Sequence, residues 1–153
     1  MPHAHLDASA FIQAPIQTVF ARMGDLSRFN DWNPFPSMDP TAVSKHEGPA
    51  SGPGAAFEYE GKRLGKGRMD ITNVEAPHRI DFRMTFWRGG QSTHATSAFV
   101  MAEQDGGTDV HWTFDEDRSV GMFLMGNLLF DRMMTGTFRS GLERLKALVE
   151  AES

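Results

Sequence analysis

At 153 residues, 40% of them hydrophobic, the chain is long enough to build one domain around a real core, and residues 1–153 are expected to form that single domain. A net charge of −5 with no Lys/Arg run argues against a nucleic-acid surface, and the absence of cysteine rules out a disulfide framework and a thiol nucleophile. The start, Met1-Pro-His-Ala-His-Leu-Asp7, lacks the basic and apolar runs of a secretory signal. The longest apolar stretch, Met122–Phe130, is far short of the ~20 residues that cross a bilayer, so a soluble, cytoplasmic protein with no membrane span is expected.

Residues 3–12 alternate loosely and lead into Phe11-Ile12 as a first strand. Ala14-Pro15 opens a helix, because proline suits the first helical turn, and Ile16, Val19, Phe20 and Met23 carry its spacing. Gly24 ends it. Asp25 is placed to cap a second short helix, Leu26–Asp31, which Trp32-Asn33-Pro34-Phe35-Pro36 breaks. Thr41–Glu47 is a weak strand, and Gly48–Gly54 is a turn cluster. Ala55–Glu60 is a strand with Phe57 and Tyr59 on one face, Gly61–Gly65 is a hairpin turn, and Lys66–Glu75 follows with Met69 and Ile71 in phase.

After Ala76-Pro77-His78, the segment Arg79–Trp87 gives the clearest alternation. Ile80, Phe82, Met84 and Phe86 point one way, while Asp81, Arg83 and Thr85 point the other. Thr93–Glu103 and Thr108–Asp115 flank Gln104-Asp105-Gly106-Gly107, a hairpin signal. With Gly106-Gly107 as the turn residues, Met101 lies opposite Trp112 and Phe99 opposite Phe114, on the same face as Val110. From about Met122 to Glu150 the chain reads as one long helix. Phe130, Met134, Phe138, Leu142, Leu145 and Val149 form a single stripe, and the front half is apolar nearly all round. Gly126, Gly136 and Gly141 weaken this helix, and they also permit it to bend or to approach the sheet closely. The whole is an α+β architecture, an antiparallel sheet of about seven strands curled around a long C-terminal helix, with space for a ligand between them.

This pattern resembles the START-like (SRPBCC, birch-pollen-allergen-like) helix-grip superfamily, and within it the polyketide cyclase/dehydrase-type group. The residues that carry the likeness begin with Ile12-Gln-Ala-Pro15, Val19-Phe20, Asp25-Leu26, Phe29 and Trp32-Asn33-Pro34. They continue with Gly52-Pro-Gly54, Glu75-Ala-Pro77-His-Arg-Ile80, Gly106-Gly-Thr108-Asp-Val110-His-Trp112 and Gly141-Leu-Glu-Arg-Leu-Lys146. Most of these are turns, caps and core positions, so they specify the fold more than the chemistry. The resemblance implies a helix-grip fold in a superfamily of lipid carriers, hormone receptors, cyclases, dehydratases and co-chaperone domains.

The side chains expected to meet a ligand are Trp32, Phe57, Tyr59, Met69, Phe82, Met84, Phe99, Trp112, Met125 and Met133. Of the positions taken to face inward, Tyr59 alone carries a polar group. It is suited to hydrogen-bonding a ligand carbonyl or enolate, and the alternative is an ordinary core tyrosine whose hydroxyl reaches solvent or backbone. Trp32 and Phe35 form either a lid over the cavity or a core anchor. On the long helix, Asn127 is a further candidate for orienting a ligand, and Asp131-Arg132 reads as a solvated pair. His94 and His111 fall on adjacent strands with His111 facing outward, Glu58, Glu60 and Asp70 read as surface, and no metal site or cofactor is expected. There is no GK[ST] phosphate loop, no G-x-S-x-G serine and no inward carboxylate pair. The expected partner is a hydrophobic small molecule of lipid, polyketide or aromatic type, bound by a monomer or homodimer. A cyclase/dehydratase enzyme or a co-chaperone-like interaction domain are the alternatives.

Overall fold

The computed structural model describes residues 3–88, 90–117 and 127–152. Strand β1 (His3–Ile12) is followed by helix α1 (Ile16–Gly24) and two 3₁₀ helices, Leu26–Asp31 and Phe35–Ser37. Six strands come next: β2 (Val43–Glu47), β3 (Ala56–Gly61), β4 (Gly65–Glu75), β5 (Arg79–Arg88), β6 (Gln91–Gln104) and β7 (Gly107–Asp117). Helix α2 (Asn127–Glu152) ends the chain. The expected helix reaches further forward, and its portion before Asn127 lies outside the described residues. All strands join one curved antiparallel sheet in the order β1-β7-β6-β5-β4-β3-β2. The expected α+β helix-grip fold is therefore present, with two short helices after the first strand.

Local chemistry accounts for the element boundaries. The Pro15 carbonyl accepts the first helical bonds of α1, from Thr18 and Val19. The Asp25 carboxylate accepts from the Ser27 amide at 3.1 Å and so caps the following 3₁₀ helix.

The β6–β7 hairpin corrects the expected register. Met101 lies opposite Val110 and Phe99 opposite Trp112, so the partners of Met101 and Phe99 each move by two residues. The turn pair is Asp105-Gly106, not Gly106-Gly107. Both of its residues have positive φ, 48° and 79°, the conformation whose twist matches a two-residue hairpin. A shift of two keeps every side chain on its expected face. His111 therefore still faces outward, opposite Val100 in place of Ala102.

On the inner face, Phe29, Trp32, Phe57, Phe82, Phe99, Trp112 and Phe138 are all essentially inaccessible to water. Helix α2 closes this core with Phe138, Leu142, Leu145 and Val149, the later members of the expected stripe. Its far end is tied to the start of the chain. Lys146 Nζ donates to the Phe11 carbonyl at 2.7 Å, Glu150 accepts from the Gln13 amide at 2.8 Å, and Glu152 pairs with the buried Arg22 at 2.6 Å. Gly141 lies against the Pro34 ring, and Arg144 donates to the Asn33 carbonyl at 3.0 Å, so the helix is pinned to the 32–36 loop. The close approach expected of a helix glycine is thus made to a loop instead of the sheet.

Asp39 stitches that loop region to the β3–β4 turn. Its buried carboxylate accepts from the Thr41 hydroxyl and amide at 2.5 and 3.0 Å, and from the Arg63 and Leu64 amides at 2.7 and 2.9 Å. The Thr41 hydroxyl, with the amides of Leu64, Arg63 and Thr41, lowers its pKa to about 2. A depressed carboxylate pKa adds stability that is complete above the ordinary value and is lost as pH falls toward the folded-state value. The denaturation midpoint should therefore fall as pH drops below about 4. Asp39→Asn should start less stable and lose less over the same interval. Parallel acid limbs in the two proteins would contradict this role for Asp39.

Candidate functional site

The register brings small residues to the inner face at three places, Gly67 on β4 and Ala95 and Ser97 on β6, among much larger neighbours. Gly67 is opposite Tyr59, and an added Cβ there would fall on the Tyr59 ring, so the absent side chain is what seats the tyrosine. Phe35 stacks on Tyr59, with ring centroids 5.5 Å apart and planes inclined by 23°. Ser97 is opposite Phe82 on one side and Phe114 on the other. Its hydroxyl donates to the Thr113 carbonyl at 2.6 Å and accepts from Trp112 Nε1 at 3.2 Å.

A cavity of about 20 Å³ lies here. The sheet lines it with Tyr59, Met84, Phe86, Ser97, Trp112 and Phe114, helix α2 with Met134 and Phe138, and the loop with Phe35. That volume holds about one water molecule, whereas pockets for organic ligands are typically ~300–1,000 Å³. The space between sheet and helix is thus largely filled by the protein's own rings. Trp112 and Phe138 are stacked at 4.3 Å and 8°, and Trp112 meets Phe99 edge-on at 5.3 Å.

The ten expected ligand-contacting residues separate into groups. Tyr59, Met84 and Trp112 line the cavity. Phe57, Met69, Phe82 and Phe99 face inward as expected but are packed as core beside it. Trp32 is a core anchor and not a lid. It is fully buried, edge-on to Phe29 at 4.9 Å and 5.8 Å from Trp112, while Phe35 from the same loop does reach the cavity. Met133 is 50% exposed and outside the cavity, because it falls off the apolar stripe to which Met134 and Phe138 belong. Met125 and the Asn127 side chain lie outside the described residues. Ser97 is an addition, and it corrects the expectation that Tyr59 is the sole inward polar group. Its position in phase with Phe99 and Met101 is the signal in the sequence that points to it. Met134 and Phe138 are legible as members of the helix stripe, although not as cavity wall.

The charged clusters lie away from this cavity. On β2–β4, Arg68 donates to Glu47 at 2.6 Å, with Glu58 and Asp70 also in reach. These bonds raise the guanidinium pKa, and the Arg68 bond holds Glu47 below the usual carboxylate range. Glu58 and Asp70, expected as plain surface, are thus members of an ion cluster. On the outward face of β1 and β7, His111 sits between Asp7 at 2.8 Å and Asp109 at 3.0 Å. The Asp7 bond leads in raising its pKa, and Asp109 adds to it. Among the described residues, no group of three His, Asp or Glu side chains is arranged to hold a metal ion. No helix among them is long and apolar enough to cross a membrane. Among the described residues of the cavity lining, the side chains with an exchangeable proton are Tyr59, Ser97 and Trp112. The Ser97 hydroxyl is directed at the Thr113 carbonyl and the Trp112 N–H at Ser97.

Residues 3–150 match the sequence profile of a family described as polyketide cyclase/dehydrase and lipid transport. Among solved structures, the chain is similar to a protein from Mycobacterium smegmatis, at 21% identity over 97% of this chain and 92% of the other, with a TM-score of 0.69. It is similar to a protein from Chromobacterium violaceum at 18% identity, over 95% of this chain and 96% of the other, with a TM-score of 0.66. It is also similar to the Aha1 dimer from Colwellia psychrerythraea, at 12% identity over 96% of each chain, with a TM-score of 0.68. At these identities the likeness is one of fold. No curated protein matches the chain in sequence.

Proposed function

The chain belongs to the polyketide cyclase/dehydrase and lipid transport family, and from that premise we propose that it binds a hydrophobic small molecule between the sheet and helix α2. The observation that carries this reading is the lining of the cavity, six aromatic rings and two methionines around the single hydroxyls of Tyr59 and Ser97. Such walls supply apolar area, and the polar groups supply orientation. The ligand enters by displacing side chains, for which the unbranched Met84 and Met134 are suited.

Binding is favoured over catalysis by the same lining. A dehydratase or cyclase must move protons, and among the described residues on these walls Tyr59 is the only titratable side chain. An interaction domain of the co-chaperone kind would call for a contiguous exposed apolar surface. Among the described residues the large exposed hydrophobic side chains are Val43 and Met133, which stand on different elements.

Native mass spectrometry of freshly purified protein, followed by denaturing extraction, tests the proposal. A stoichiometric apolar compound is the expected result. A clean apo mass, together with failure to take up an environment-sensitive apolar dye, would overturn it. Tyr59→Phe should leave the denaturation midpoint nearly unchanged and weaken binding of the extracted compound by roughly three- to tenfold, the value of one hydrogen bond. Unchanged affinity would remove Tyr59 from the site.

A further inference from the structure

Trp112 meets its aromatic neighbours in two different ways. Phe29, Trp32, Phe35 and Phe99 all approach it edge-on, at interplanar angles of 69° to 88°. Phe138 lies flat on it, at 4.3 Å and 8°. The four edge-on rings belong to the sheet and to the segment Leu26–Ser37, whereas Phe138 is carried by helix α2, one turn after Met134. The cavity of about 20 Å³ adjoins this stack, and both of its rings contribute to the lining. The flat seat on the indole is therefore filled by a ring from a different element, with free space and two flexible methionines beside it.

We propose that the ligand is a planar aromatic molecule bearing a hydrogen-bond donor, and that Phe138 is the movable ring that occupies its seat on Trp112. The proposal rests on the cavity being an apolar ligand site, and it names the class of ligand. Parallel stacking gives a flat π system a gain beyond area burial that a saturated ring of equal area lacks. Ser97 sets the polar edge. Its proton is directed at the Thr113 carbonyl, and one of its two lone pairs takes the Trp112 N–H, so the remaining lone pair is open to an incoming donor. A phenolic O–H or a ring N–H meets that requirement. When Phe138 swings off the indole, the volume of its ring is added to the existing cavity. A hole of about 150 Å³ with apolar walls is enough to hold a benzene-sized ring.

The test compares phenol with cyclohexanol, six-carbon rings of similar size and apolar area with one O–H each, by titration calorimetry on the full chain. Wild type and Phe138→Ala are both measured, with Phe138→Leu as the variant to use where the alanine protein does not fold. Phenol should bind wild type roughly three- to tenfold more tightly than cyclohexanol, the value of one aromatic stack. Removing the Phe138 ring should tighten phenol by a further factor of about ten and cyclohexanol by less, because the plug no longer competes. Cyclohexanol binding as well as phenol in both proteins would overturn the planar-ligand assignment while leaving an apolar binding site standing. Phenol binding that ignores the Phe138 substitution would overturn the role of that ring. Failure of wild type and variants to bind either probe would overturn this proposal and the apolar site together.

Discussion

Replacing Trp112 with alanine should cost ~3–5 kcal/mol of folding free energy, the largest loss expected of any single substitution in the aromatic core. Trp112 is about 1% exposed and touches five aromatic rings, from Phe29, Trp32, Phe35, Phe99 and Phe138. These neighbours come from β6, the segment Leu26–Ser37 and helix α2, so collapse around the hole would require several elements to move at once. The cavity term should therefore add nearly in full to the lost transfer energy. Trp112→Phe keeps one ring on Phe138 and should lose much less. Urea denaturation followed by far-ultraviolet circular dichroism measures both. An alanine variant within about 1 kcal/mol of wild type would show that Trp112 is not a keystone of the packing.

The second large effect runs against the usual rule for glycine. In a strand interior, Gly→Ala normally gains about 0.5–1 kcal/mol, because alanine loses less chain entropy on folding. At Gly67 the same change should destabilise by about 1–3 kcal/mol, since the new methyl would occupy the place of the Tyr59 ring. The ring would have to leave its stack on Phe35 or push β3 away from β4. Tyr59 is the one tyrosine of the chain, so its ring resonances are assigned without further labelling and should shift in the variant. The cause is separable by a double-mutant cycle. In a Tyr59→Ala background the Gly67→Ala penalty should vanish, and an equal penalty in both backgrounds would sink the explanation.

Much of the fold is legible in the amino-acid pattern. The alternation Ile80, Phe82, Met84, Phe86 identifies a strand and its inner face, and the stripe Phe138, Leu142, Leu145, Val149 identifies the buried side of the last helix. The Asp25 cap and the turn clusters place boundaries within a residue or two. The β6–β7 register is not legible in the same way, and the pattern puts it two residues off. Asp105-Gly106 and Gly106-Gly107 are both acceptable turn pairs, and alternation cannot distinguish registers that differ by an even number. The candidate site is legible only in outline. Alternation shows that Phe57, Tyr59, Met69 and Met84 point inward, but it is silent on where along the strand the helix crosses above them. Tyr59 and Met84 therefore border space while Phe57 and Met69 are packed solid. Ser97 escapes notice because it ends the polar stretch Gln91-Ser-Thr-His-Ala-Thr-Ser97 and reads as surface until its cross-strand neighbours, Phe82 and Phe114, are known.

Residue spacing alone establishes the kind and order of the elements and the side of each that is buried. Those properties depend on periods of two and of 3.6 residues, which are local to a segment. Packing between distant segments settles which buried rings are core and which are wall. It also sets Phe138 flat on Trp112 and leaves only about 20 Å³ open beside them. Those outcomes depend on how far helix α2 sits along the sheet and on which rotamers close packing allows. Both are set by contacts between residues far apart in the chain, such as Gly141 with Pro34 and Lys146 with the Phe11 carbonyl.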